Sequence, residues 1–343
     1  MKLGIFVDYA GGFKESAARV AAYEKAGLDV AWVAEAYGYD GPSFMGYLAA
    51  STESVTIGSA ILPIYTRTPT LLAMTAAGLD ALSDGRFMLG LGASGPQVIE
   101  GFHGVRYDAP IGRTREIVDI CRQVWRRDRV EHDGRYYQLP LPAEKGTGLG
   151  KPLKLITHPV RTRIPVWLAA LGPKNVSLAA EVAEGWLPFL FMPDKARDVW
   201  GADLDAGNEA RSAELGPLEI AAGGLVAIGD DKAEVAELSR PMVALYVGGM
   251  GARGKNFYND LMCRYGYEAE AALIQDLYLE GKKDEAAAAV PDEFLRLSNL
   301  CGPEGFVKER IAAFKEAGVT VLNITPQGDD PLGTIEKVRG WLS

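Results

Sequence analysis

Cysteine and histidine are scarce in this chain, and their scarcity excludes several kinds of site. The sequence has 3 cysteines and 3 histidines in 343 residues. They are Cys121, Cys263, Cys301, His103, His132 and His158. An odd number of widely spaced thiols predicts neither a disulfide framework nor a thiolate metal site, and it favours a reducing compartment. The histidines show no metal-ligand spacing, so we expect no metal.

The chain also lacks runs of positive charge and long apolar runs. Its net charge is −9, and the densest basic patch, Arg126–Arg129, contains an aspartate. Such a chain does not fit a nucleic-acid partner. No apolar run approaches the roughly 20 residues of a membrane-spanning helix, and Met1–Asp8 is typical of a strand instead of a signal peptide. We therefore expect a cytoplasmic protein that acts on a small molecule.

What the sequence does contain is a repeated alternation of β-rich runs and amphipathic helical runs. The eight predicted strands are Lys2–Asp8, Asp29–Glu35, Val55–Leu62, Phe87–Gly92, Pro165–Leu171, Gly185–Phe191, Leu218–Ile228 and Val319–Thr325. Because a helical run follows each strand, the strands should be parallel. Eight such units predict an α/β protein with the (β/α)8 TIM-barrel fold.

Two segments exceed the usual barrel length and are predicted to be insertions. Arg129–Arg163, rich in Gly, Pro and Tyr, lies between the fourth and fifth strands, and the mostly helical Asp231–Gly302 lies between the seventh and eighth. We expect both to project from a single domain covering residues 1–343, since no linker or repeat marks a second one. Cys121 falls on the apolar stripe of a helix predicted over Ile111–Trp125, which favours a small core residue over a reactive thiol.

In a TIM barrel, the working residues lie at the carboxyl ends of the strands and on the loops that follow. In this chain those positions carry mostly aromatic and apolar side chains, with no Ser-His-Asp or Cys-His set. They include Asp8, Tyr9, Glu35, Tyr65, Ser94, Gln97, Trp186 and Phe189. Such a lining suits a flat aromatic ligand better than hydrolysis, with Tyr9, Tyr65 and Trp186 either as apolar walls or as core.

Two glycine-containing loops could bring a ligand close to the backbone. Gly90–Gly95 formally matches the dinucleotide fingerprint G-x-G-x-x-G, but it follows the fourth strand instead of the first, and Pro96 comes next. We interpret it as a turn that a ligand can approach. In Leu171–Asn175, free backbone N–H groups at a helix start would form an anion site, and an ordinary turn is the alternative.

Glu35 and His103 are the candidate catalytic residues. Glu35 ends an apolar strand, where a carboxylate is costly unless it has a partner, so a ligand contact is favoured. His103 lies between glycines and aromatics on the loop after the fourth strand, as either a proton donor or a structural hydrogen-bonding residue. Both are expected at the barrel mouth, where they could exchange a proton with a substrate.

Several motifs together resemble the luciferase-like monooxygenase superfamily. Val55–Pro63, Arg67–Pro69 and Leu79–Arg86 are similar to its common motifs. Gly90–Val98 and Trp167–Asn175 resemble its branch that uses the deazaflavin coenzyme F420. No single motif is specific, but the set extends from the first strand to the eighth.

The resemblance implies a TIM barrel that binds a deazaflavin at its mouth, usually as a homodimer. It also implies a cis peptide bond between Ala60 and Ile61 behind the cofactor ring, and it maps the superfamily's acid after the second strand onto Glu35. The residues expected to contact the cofactor are Asp8, Glu35, Ala60, Ile61, Ser94, Gln97, Leu171, Gly172, Lys174, Asn175 and Trp186.

Three positions depart from relatives that oxidise glucose 6-phosphate. Those relatives more often have Asp where Glu35 stands, His where Ala36 stands, and an acid where Gly95 falls. The sequence therefore does not predict sugar-phosphate oxidation. The leading hypothesis is an F420-dependent oxidoreductase that transfers hydride to or from an unknown small organic substrate. The alternatives are an FMN-dependent monooxygenase and a non-catalytic flavin-binding relative.

Overall fold

Eight parallel strands close into a barrel in this computed structural model, which describes residues 1–8 and 12–342. Tyr9, one of the expected wall residues, lies outside the described residues. The strands are Lys2–Val7, Val30–Val33, Thr56–Ser59, Phe87–Gly92, Val166–Ala169, Gly185–Leu187, Glu219–Ile228 and Val321–Pro326. The eighth strand pairs with both the first and the seventh, which closes the ring. The predicted TIM barrel is confirmed.

Outer helices return the chain from each strand to the next. They are Phe13–Lys25, Gly41–Ser51, Pro69–Leu82, Pro110–Trp125, Pro173–Val182, Pro193–Glu209, Glu304–Glu316 and Pro331–Leu342. Proline begins several of them, where its missing N–H costs no helical hydrogen bond. The side chains of Asp40 and Thr68 cap the second and third helices by accepting the backbone N–H groups of Ser43 and Leu71.

The third predicted strand is interrupted in the structure. Val55–Leu62 was expected to be continuous, but the strand stops at Ser59, and the peptide bond between Ala60 and Ile61 is cis, as the resemblance implied. The short strand Leu62–Pro63 then pairs with the fourth barrel strand. The chain therefore bends at the barrel mouth before the third helix begins.

The first insertion follows the fourth outer helix and folds back along it. Its two short strands, His132–Asp133 and Gln138–Leu139, pair antiparallel. The Glu116 carboxylate on that helix accepts the backbone N–H groups between these strands, from residues 135 to 137, at 2.9–3.2 Å. This attachment carries Tyr137 toward the barrel rim.

The second insertion is mostly helical, as expected. Its α-helices are Arg240–Ala244, Phe257–Arg264, Glu268–Leu279, Lys283–Ala288 and Asp292–Ser298. It ends in a strand that the sequence did not predict, Leu300–Gly302, which lies parallel to the end of the seventh barrel strand. Three residues are too few to show a pattern of their own. The assignment of the whole chain to one domain stays a prediction.

The cysteines are unpaired in the structure. Cys121 and Cys301 are buried, and Cys263 is half-buried. Burial raises the pKa of Cys121 to about 12, so its thiol stays protonated and packs as a small apolar group. In the part of the chain that the structure describes, no helix is both long and apolar enough to cross a membrane.

Two tryptophans fill the lower interior of the barrel. The rings of Trp32 and Trp167 meet edge to face with centroids 5.1 Å apart, and both are buried. Glycines face them: a Cβ atom on Gly58 would overlap the Trp32 ring, and one on Gly185 would overlap the Trp167 ring. The indole N–H of Trp32 donates to the Asn323 side chain at 3.0 Å. Closure of the barrel thus requires large and small residues at matched positions.

We expect Gly185→Ala to lower the free energy of unfolding by about 1–3 kcal/mol, because the added methyl group would overlap the Trp167 ring. Urea denaturation measures the loss. The matched control is Gly305→Ala, which adds the same methyl group to a helix where no atom lies within 4 Å of it. This control should leave stability unchanged or slightly raised. Equal stabilities of the two variants would contradict the interpretation.

Candidate functional site

An open apolar floor lies at the mouth, above the two tryptophans. Side chains alternate along a strand, so Phe6 faces the lumen, as Gly4 does. Phe6 is 47% exposed, unusually high for an aromatic residue inside a barrel. The Ile61 side chain and the Ala169 methyl group both lie close to Gly92, and Ala169 is exposed. These small and flat side chains leave an apolar surface that a planar ligand would cover.

The glycines of the fourth strand serve mainly contacts within the protein. Gly90 exchanges hydrogen bonds with the Ser59 hydroxyl, at 2.8 and 2.9 Å, and a Cβ atom there would overlap the Ser59 carbonyl. Gly90 is therefore needed for close approach of the third strand, and the interpretation of the following turn as open to a ligand stays a prediction. Ser94 has a positive φ of 58°, and Gln97 begins a π-helical turn, Gln97–Phe102, on the mouth side.

The helix that follows the fifth strand begins at Pro173, with Gly172 as its N-cap. In the described part of the chain, no atom beyond the two adjoining residues lies within 4 Å of a Cβ position on Gly172, and Lys174 is exposed. The Asn175 N–H, which was expected to be free, instead donates to the Gly172 carbonyl at 3.1 Å. The Leu171 carbonyl accepts from the Trp200 indole at 2.9 Å. An open helix start remains, with the Gly172 and Lys174 amides as its candidate donors.

A small cavity lies between the first turn of this helix and two residues at the mouth floor. Asn175 lines it together with Gly92 and Ala169. The floor and the helix start are therefore neighbouring parts of one surface.

Glu35 is held in a buried ion pair that the sequence analysis did not identify. Both of its carboxylate oxygens accept from the Arg67 guanidinium, at 2.6 and 2.8 Å, and the Gly41 N–H donates to one of them at 2.7 Å. The side chains are only 8% and 14% exposed for Glu35 and Arg67. Arg67 lies in one of the motifs that carry the resemblance, but nothing in the sequence pairs it with Glu35. The pair connects the ends of the second and third strands.

His103 lies exposed on the loop after the fourth strand. Its ring meets the Phe102 ring edge to face at 5.1 Å, and Phe102 in turn lies 6.2 Å from Tyr37, after the second strand. The imidazole is therefore accessible to a substrate at the rim. Asp8, at the end of the first strand, is also exposed.

The side chains of Trp186 and Tyr65 mainly contact other groups of the protein. Trp186 is 1% exposed, donates its indole N–H to the Ala170 carbonyl at 2.9 Å, and packs against Trp200. The pleat of the sixth strand turns it away from the lumen, so its placement favours packing over cofactor contact. The Tyr65 hydroxyl donates to the Asp108 carbonyl at 2.8 Å, at the outer rim.

The second insertion contributes aromatic rings to the mouth that the sequence did not predict. Phe189, after the sixth strand, lies 4.5 Å from the Tyr246 ring and 5.9 Å from the Tyr258 ring. Tyr107, on the strand-four loop, approaches the Ser94 carbonyl with its hydroxyl at 3.5 Å. Residues so distant in the chain gave no local signal of meeting.

These features fit a flat tricyclic cofactor with an anionic tail. The floor offers an exposed apolar surface for a ring, and the open helix start beside it offers backbone donors for negative charge. Comparison with known proteins supports the same kind of ligand site.

The family described as Luciferase-like monooxygenase matches residues 1–321. The "Putative coenzyme F420-dependent oxidoreductase Rv3520c" of Mycobacterium tuberculosis is 43% identical over 346 aligned positions, which cover 99% of this chain and 97% of that protein. The 5,10-methylenetetrahydromethanopterin reductase of Archaeoglobus fulgidus is 27% identical, with 92% and 90% covered. The solved coenzyme F420-dependent tetrahydromethanopterin reductase from Methanopyrus kandleri superposes with a TM-score of 0.80 at 22% identity, covering 98% and 97%. The chain belongs to the luciferase-like monooxygenase family.

Proposed function

We propose that this protein is an F420-dependent oxidoreductase that transfers hydride between the deazaflavin and a small organic substrate. The observation that carries the proposal is the exposed apolar floor beside an open helix start, which matches a flat ring with an anionic tail. The relative that is 43% identical over nearly the whole chain bears the name of an F420-dependent oxidoreductase. FMN-dependent oxygenation is the second candidate, since the family includes monooxygenases.

The residues expected to hold the cofactor divide into two sets. Ala60, Ile61 and Ser94 would support the ring on the floor, and the Gly172 and Lys174 amides would bind the anionic tail. When bound, a deazaflavin supplies a carbon that exchanges hydride and reacts poorly with oxygen. The protein's contribution is to position the ring, to keep water from the reacting face, and to hold a proton donor near the substrate.

His103 is the proton donor that we favour. Its imidazole is exposed at the rim, where it can exchange protons with solvent and with a substrate. Glu35 has both oxygens engaged by Arg67 and the Gly41 amide. Protonation of Glu35 would leave Arg67 as a buried charge without its partner, which is costly. We therefore assign Glu35 the role of positioning the loops that follow the second and third strands.

Replacement of Gly172 by phenylalanine should weaken F420 binding roughly tenfold to a hundredfold, the amount expected for losing a charge-assisted hydrogen bond. The open space around Gly172 lets the fold tolerate the ring. Titration of the purified protein with F420 measures the affinity. The control is Gly340→Phe, on the last helix, where a Cβ atom also lies more than 4 Å from the atoms of residues 1–8 and 12–342 outside its own helix turn. Equal F420 affinities of the two variants would contradict the placement of the anionic tail at this helix start.

The protein should bind F420 more tightly than FMN, and its bound reduced F420 should react slowly with oxygen. The physical reason is the ring carbon that replaces the oxygen-adjacent nitrogen of a flavin. Stopped-flow mixing of the reduced holoprotein with oxygenated buffer measures the reaction. Tighter binding of FMN, with rapid oxygen-dependent reoxidation of the reduced protein, would identify a monooxygenase instead.

We also propose a cytoplasmic homodimer that pairs through the second and third outer helices. The exposed positions of these adjacent helices carry no charged side chain and include Tyr47, Leu71, Met74 and Leu82. An outer helix without charge on its exposed face is typical of a covered surface. The unpaired cysteines support the reducing compartment.

Met74→Glu should convert the dimer into a monomer, because it places charge within the apolar face. Light scattering after size-exclusion chromatography measures the mass. Leu273→Glu is the matched control, since Leu273 is 50% exposed and Met74 is 54% exposed, but Leu273 lies in the second insertion. A wild-type monomer, or a variant that stays dimeric, would contradict this interface.

A further inference from the structure

An aromatic wall rises above the floor on the side of the fourth to sixth strands. It consists of Tyr107, Phe189, Tyr246 and Tyr258, and we call it the tyrosine wall. The Tyr246 and Tyr258 rings meet edge to face at 4.8 Å, and both pack on Phe189. Burial raises the pKa of the Tyr258 phenol, with smaller contributions from Tyr246 and Tyr107. The second insertion thus reaches back across the mouth to the strand-four loop.

The Tyr258 hydroxyl has no hydrogen-bond partner among residues 1–8 and 12–342, and its side chain is half-buried at the mouth. Buried tyrosine hydroxyls nearly always have one. Two nearby tyrosines of the second insertion follow that rule. Tyr265 donates to the Leu190 carbonyl at 3.0 Å, and Tyr267 donates to Glu293 at 2.6 Å. The Tyr258 hydroxyl is therefore an unused donor at the mouth.

The tyrosine wall is also electrically neutral. Burial raises the pKa of Tyr107 and of Tyr258, so both phenols stay protonated at physiological pH. A carboxylate or ammonium group placed against them would lose hydration without gaining a counter-charge. Asp8 directly follows the first strand, which lies across the barrel from the fifth.

We propose that the substrate is an uncharged molecule with an apolar body and one ketone or alcohol oxygen, and that Tyr258 donates a hydrogen bond to that oxygen. The apolar body packs between the floor and the tyrosine wall. Phe6 below and Phe189 beside it supply apolar contact area. This inference deepens the proposed function, because it assumes a cofactor ring on the floor. It makes Tyr258 a residue that determines specificity by selecting an acceptor oxygen.

The test compares three probes of similar shape on the F420-loaded protein: acetophenone, benzoate and benzylammonium. Ligand-detected NMR titration gives each dissociation constant without requiring turnover. Acetophenone should bind at least roughly tenfold more tightly than either charged probe, because burial of an unpaired charge is unfavourable. Tyr258→Phe removes only the hydroxyl and should weaken acetophenone binding roughly tenfold.

Two controls separate this inference from the proposed function. Tyr258→Phe should leave the F420 dissociation constant unchanged, and Tyr23→Phe, on the first outer helix, should leave both constants unchanged. Equal affinity for the charged and neutral probes, no saturable binding of acetophenone, or an unaffected Tyr258→Phe variant would each overturn the inference while F420 still bound. Failure of the wild-type protein to bind F420 would instead overturn the proposed function.

Discussion

The contact between Trp32 and Trp167 determines how deep in the barrel the side chains above it lie. Two indole rings occupy the lumen only because glycines stand opposite them, and the buried side chain of Asn323 fixes one ring by accepting its N–H. The next residues along the strands, among them Phe6 and Ala169, consequently form a floor at the mouth instead of packing further down. The position of the floor follows from this interior packing. The same packing therefore determines the position of any ring that rests on the floor.

The alternation of β-rich and helical runs along the sequence was enough to predict the barrel architecture. Each strand-helix unit carries its own signal, so the eight strands and the two insertions could be found one at a time, and the resemblance supplied the cis bond. Contacts between distant segments could not be found in this way. Arg67 lies 32 residues from Glu35, and Tyr258 meets Phe189 only after the second insertion has folded over the mouth.

A second limit concerns which face of a strand a residue occupies. Gly185 and Trp186 are neighbours, yet Gly185 faces the lumen and Trp186 faces the outer helices. A short strand of three residues gives almost no periodicity from which to choose between the faces. The expectation that Trp186 lines the mouth depended on that choice. Phe6 is the reverse case. It lies in a longer strand, where alternation with Gly4 indicates which face it occupies.

The same interior fit gives the protein an optical property. Trp32 and Trp167 are held rigidly in a dry environment, where indoles emit at shorter wavelength than in water. They lie directly beneath the floor, so a ring that absorbs in the near ultraviolet would accept their excitation energy at very short range. A ring bound at the mouth would therefore quench the emission of these two tryptophans, so occupancy could be followed without a label.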